Sequence, residues 1–129
     1  MRGLKVTLAL FGAVLCAEGL LDIAIPITRA SRLGLGACAS QAPLAMTVLG
    51  VTWLTVGGFM IGAARAPGRH QTWVRFAVVL PIALAIGLLL AALRGQVTIG
   101  QIAVDLAFDV VFAALLAAFA LRRTHLRGT

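Results

Sequence analysis

The chain has 129 residues, of which 61% are hydrophobic and only 12% charged, and its formal net charge is +7. A mean hydropathy of +1.05 excludes an ordinary soluble domain. A hydrocarbon core of ~30 Å takes about 20 apolar residues per helix, so four spans and short loops use up the chain. In a soluble protein such basicity would point to nucleic acid; here its distribution reads as membrane orientation, and no nucleic-acid partner is expected.

Span 1 covers residues 4–27. It shows no period-two alternation, and lipid admits only helices or closed barrels, so it is helical. Pro26 marks its end. Met1 to Lys5 followed by an apolar stretch to Ala17 also has the outline of a signal peptide, whose cleavage near Gly19 would leave three spans. The small-residue pattern there is weak, and Leu15 before Cys16 does not suit lipoprotein processing, so an intact first span is expected. The linker TRASRLGLGACASQA, residues 28–42, suits the membrane surface or a cover over the acidic residues described below.

Span 2 covers residues 44–64, and Ser40 with Pro43 fits its start, since proline is tolerated in a first helical turn. Gly58 and Gly62 form a small-xxx-small pair, and Gly50 and Gly57 lie on the same span. Such residues let helices approach closely. Packing within the chain is their first use and a homo-oligomer through Gly58 and Gly62 the second; Gly12 and Gly19 of span 1 read the same way. Trp53 is expected in the core. Span 3 covers residues 74–93 after a Pro67-Gly68 turn, with Pro81 inside it as a kink. Span 4 covers residues 102–121. The predicted fold is an all-α, single-domain, four-helix up-down membrane bundle.

The bases sort by side. Arg2, Lys5, Arg65, Arg69, Arg75, Arg122, Arg123 and Arg127 share the side of both termini; Arg29, Arg32 and Arg94 lie on the other. This bias predicts termini and the 2–3 loop in the cytoplasm, Trp73 at the cytoplasmic interface, and a multi-pass protein of a bacterial cytoplasmic membrane.

All four acids lie inside spans, as Glu18 with Asp22 and Asp105 with Asp109. A four-residue step puts both members of a pair on one helix face. A central Asp costs about 2.5 to 3.5 kcal/mol on insertion, against about 0.3 to 0.6 gained per Leu, Ile, Val or Phe. Intramembrane carboxylates are therefore functional-site candidates. With spans 1 and 4 antiparallel neighbours, Asp22 would face Asp105 and Glu18 would face Asp109, giving one buried cluster in the outer half that titrates as a unit. Arg94, closing span 3 on a long stem, is the leading counter-ion. Arg29 and Arg32 follow span 1, and Thr47 and Thr52 of span 2 supply hydroxyl donors.

Cys16 and Cys38 lie at different depths, which argues against a disulfide. His70 and His125 lie away from the acids, so neither a two-His haem site nor the Glu-x-x-His spacing of di-iron bundles is indicated. No nucleotide loop, Ser-His-Asp set or Cys-rich zinc pattern is present. No metal, cofactor or catalytic residue is therefore expected.

The AEGLLDIAIP ending of span 1, the VTWLTVGGFMIGAAR of span 2, the LLAALRGQ turn and the acid of span 4 resemble the BphX-like family of small four-helix bacterial membrane proteins. That resemblance implies no catalytic residues. Glu18 within CAEGL also resembles the span-1 glutamate of small multidrug resistance transporters, which have no counterpart of the span-4 pair. The leading expectation is a non-enzymatic bundle, an accessory component or binder of a lipophilic compound. The alternative is a small proton- or cation-coupled transporter in which carboxylates exchange a proton for cargo.

Overall fold

The computed structural model describes residues 2–32 and 42–125, with side chains as far as residue 119. Five helices follow one another: α1 (Arg2–Ala24), α2 (Pro26–Arg32), α3 (Ala42–Arg65), α4 (Gln71–Leu93) and α5 (Ile99–His125). Four of them, all but α2, are long and apolar enough to cross a membrane. They correspond to the four predicted spans: α1 starts earlier than span 1 but stops at Ala24 and not at residue 27, α4 starts earlier than span 3 and ends with it, and α3 and α5 extend beyond spans 2 and 4 at both ends. The expected start of span 2 at Ser40, and Cys38, lie outside the described residues; Pro43 does sit in the first turn of α3.

Pro26 does more than end span 1. The Ile25 amide still donates to the Leu21 carbonyl at 2.9 Å, and the Arg29 amide donates to the Ile25 carbonyl at 3.1 Å. Proline has no N–H to offer the carbonyl of Asp22, four residues back, so the helix breaks at Ile25 and restarts as α2. The linker region is thus partly helical, and α2 packs on α3 through Ala30, Ala42 and Met46. Pro81 is fully buried, and α4 runs through it as one helix.

The most extensive helix contact joins α1 to α3, followed by α4 to α5. Glycine explains the first. A Cβ built on Gly12 would lie 2.7 Å from the Gly57 carbonyl oxygen, and one on Gly19 would lie 2.5 Å from that of Gly50; the reciprocal clashes are 2.6 Å each. Two seven-residue glycine steps therefore mesh antiparallel, and the backbones touch. A Cβ on Gly58 or Gly62, by contrast, would meet nothing within 4 Å among the described residues, so neither glycine is needed for a close helix approach there.

One core is shared by all four long helices. It gathers Leu4, Leu8, Phe11 and Leu15 of α1, Met60 and Ala64 of α3, Val74 and Ala77 of α4, and Leu116 of α5, with Trp53 half-buried against it. These residues cluster toward the end of the bundle that carries the N-terminus. The stretch that reads as a signal-peptide core thus supplies Leu8, Phe11 and Leu15 to the centre of the fold. Trp73 caps this end by stacking on Phe59 at 4.6 Å. Toward the α2 end packing thins out: no residue of α4 from Ile82 to Leu93 is buried.

Candidate functional site

Both acid pairs continue core stripes. On α1 the stripe Leu4, Leu8, Phe11, Leu15 steps on by three and four residues to Glu18 and Asp22. On α5 the same stepping runs Ile102, Asp105, Asp109, Phe112, Leu116. The carboxylates therefore take positions that elsewhere in these helices hold core side chains.

The expected buried cluster of four is not what forms. Asp22 is 2% exposed and Asp109 6%, whereas Glu18 is half-buried and Asp105 exposed. The reason is the thin packing at the α2 end, where Asp105 occupies an inward position that no neighbouring helix closes. Asp105 still acts electrostatically on both Asp22 and Asp109, so three of the four acids share one region.

Register sets the depths. Phe11 stacks on Phe112 with centroids 5.0 Å apart, and a Cβ on Gly3 would meet the Phe119 ring at 2.7 Å. This is about one helical turn displaced from the equal-depth pairing expected from sequence. Asp109 consequently lies level with Val14, deeper than either acid of α1. A packed trio of rings stands beside it, with Phe108 and Phe112 4.4 Å apart and both against Phe11.

The counter-ion is Arg29, not Arg94. Arg29 Nε donates to Asp22 Oδ1 at 2.7 Å, and its Nη2 donates to Glu18 Oε2. Arg29 lies on α2, which packs on α3, and its one guanidinium bridges the pair. Positions 18, 22 and 29 fall on one face at steps of four and seven. That signal is present in the sequence but is hidden if the helix is taken to end at Pro26. Arg94 instead caps α4 with its backbone, its amide donating to the Leu90 carbonyl at 3.0 Å. Its side chain is exposed and enters no ion pair among the described residues.

The two threonines also serve elsewhere. Thr47 Oγ1 donates to the Pro43 carbonyl and Thr52 Oγ1 to the Val48 carbonyl, both at 2.9 Å. Each hydroxyl proton is thus spent on its own helix. Thr52 lines an open apolar groove of about 590 Å³ with Leu44, Ala45, Val48 and Leu49. A second groove of about 500 Å³ lies at the α4–α5 turn, along Leu89, Leu93 and Ile99. Neither groove is lined by an acid.

Asp109 is left as the singular group. It makes no hydrogen bond and no ion pair among the described residues. No fully enclosed side-chain oxygen there lacks a hydrogen-bond partner, so the Asp109 oxygens must still reach open space. It is a nearly enclosed carboxylate one turn along α5 from the exposed Asp105. Among the described residues, no group of three or more His, Cys, Asp or Glu side chains is placed to hold a metal ion.

Fold and site together define a helical bundle with four helices long and apolar enough to cross a membrane, one acid pair bridged by Arg29 and one without a basic partner among the described residues. Comparison with family models, curated proteins and solved structures finds no match. Function is therefore argued from the site.

Proposed function

We propose that this protein is a non-enzymatic bundle of a bacterial cytoplasmic membrane, with both termini and the α3–α4 turn inside. In this reading it is an accessory component or a binder of a lipophilic compound, and Asp105 with Asp109 is the binding pair. The resemblance of its short motifs to the BphX-like proteins supports the same reading. The observation that carries it is Asp109: a carboxylate 6% exposed, in a span, without a cation. Groups of this kind are expensive at membrane depth and are kept where they bind something. Glu18 and Asp22 already have Arg29 and are the structural member of the set.

The test is proton exchange. Purified protein in detergent is titrated with cationic and aromatic probes while proton release is followed. Release that disappears in Asp109→Asn but persists in Glu18→Gln supports a binding role for span 4. If no probe releases protons and Asp109→Asn changes only thermal stability, the acids hold helices together and do nothing more.

A second reading, a small proton- or cation-coupled transporter, draws on one observation. Asp105 is open and Asp109 enclosed one turn deeper, an order that suits stepwise entry. Uptake by vesicles, with and without a proton gradient, distinguishes it from binding alone.

A further inference from the structure

The first acid pair shows what the second lacks. On α1 a four-step pair is bridged by one guanidinium, brought by a separate short helix lying against the bundle. On α5 a pair with the same step has no such partner among the described residues, and its inner member is Asp109, 6% exposed and without a hydrogen bond or ion pair. We propose that Asp105 and Asp109 are the docking point for a transmembrane helix of another protein, one that carries a single Arg or Lys about two turns from the membrane surface. The inference rests on the reading of span 4 as a binding pair and names what binds it.

Three features of the chain favour a helix-borne base. The first is a seam for a helix to pack on. Val104, Val111 and Leu115 share one face of α5 at steps of seven and four residues, the spacing of a helix–helix seam. Val104 is 80% exposed, and Val111 and Leu115 are exposed as well. Asp105 stands next to Val104, at the edge of this seam.

The second is depth. Asp105 lies six residues into α5, about 9 Å along its axis, so a base that meets it from a neighbouring helix sits within that helix and not at its end. The third is that a second copy of this chain does not supply it either. Its described bases, Arg2, Lys5, Arg29, Arg32, Arg65, Arg69, Arg75 and Arg94, all lie in loops or within five residues of a helix end. Arg29 is moreover engaged already. The missing charge must come from a helix with a base inside its span, and a carboxylate pair against one base is the charge complement such a helix needs.

The experiment uses the full-length protein in phosphatidylcholine vesicles. Its probe is a synthetic Leu/Ala transmembrane helix with one Arg about two turns from one end. The same helix with Leu at that position is the control. Association is read by energy transfer between a donor on the peptide and an acceptor on the protein. The Arg helix is expected to associate about tenfold more strongly than the Leu helix, the scale of a polar contact between membrane helices. The preference should vanish when Asp105→Asn and Asp109→Asn are combined.

Val104→Trp with Val111→Trp alters the exposed seam and leaves the acids in place, so it tests the site even if the double Asn variant unfolds. It should weaken both peptides. Equal binding of the Arg and Leu helices overturns the proposal, as does an Arg preference that survives both sets of substitutions. If small cations release protons through Asp109 while the Arg helix shows no preference, the binding pair stands and the helix partner falls. If neither probe responds, both fall together.

Discussion

Glu18–Asp22 and Asp105–Asp109 begin from the same chemistry: two carboxylates, four residues apart, at core positions of a membrane-length helix. The first pair lies just before a proline break, and the short helix that follows the break delivers Arg29. The second lies within an unbroken helix, and Arg94, the described base nearest to it in sequence, is exposed at the end of α4. The same sequence pattern therefore becomes a closed ion pair in one place and an open site in the other. What separates them is the chain geometry nearby, not the acids themselves.

The strongest way to break this contrast is to make the first pair resemble the second. Arg29→Ala leaves Asp22 buried without its cation and is expected to cost about 3 kcal/mol of stability, the scale for removing one partner of a buried pair. Thermal unfolding in detergent reads this directly. Adding Asp22→Asn to that variant should recover most of the loss, because the uncompensated charge goes with it. A single variant as stable as the parent would show that Arg29 neutralises nothing of consequence.

Gly19→Ala acts on the same pair indirectly. The new methyl meets the Gly50 carbonyl at 2.5 Å, so α1 and α3 must separate, at about 1 to 3 kcal/mol. Since α2 rests on α3, Arg29 should be displaced from Asp22 too. Gly62→Ala, facing open space, should instead be neutral or stabilise by about 0.5 kcal/mol. Equal effects at the two glycines would contradict the packing described.

At the second pair the expected change is small and of opposite sense. Asp109→Asn removes a charge that no residue neutralises, so unfolding temperature should hold or rise while ligand-linked proton release is lost. A large destabilisation would make Asp109 a structural residue like Asp22. Smallest of all, Thr52→Val should shift stability by less than about 0.5 kcal/mol, since its hydroxyl serves only its own helix. Loss of probe binding in that variant would return Thr52 to the site.

Much of this was legible in the residues. The four membrane-length helices follow from apolar runs, and the special status of the acids follows from what they cost in lipid. The seven-residue glycine steps on spans 1 and 2 are visible too, although the sequence also offered Gly58 and Gly62, where an added Cβ would meet nothing among the described residues. The counter-ion was not legible under the assumption that Pro26 simply stops a helix. Residues 18, 22 and 29 share a face only if the chain continues as helix beyond the break.

By itself, then, the sequence determined the elements: how many helices, where they run, and which positions hold groups that hydrocarbon tolerates poorly. These are local properties, set by side-chain transfer energies and backbone hydrogen bonding within one segment. The tertiary structure alone decided which acids are neutralised, which glycines touch, and that α5 meets α1 about one turn out of the simplest register. Those outcomes depend on how close two helices come and on the angle at Ile25, quantities that no single segment contains.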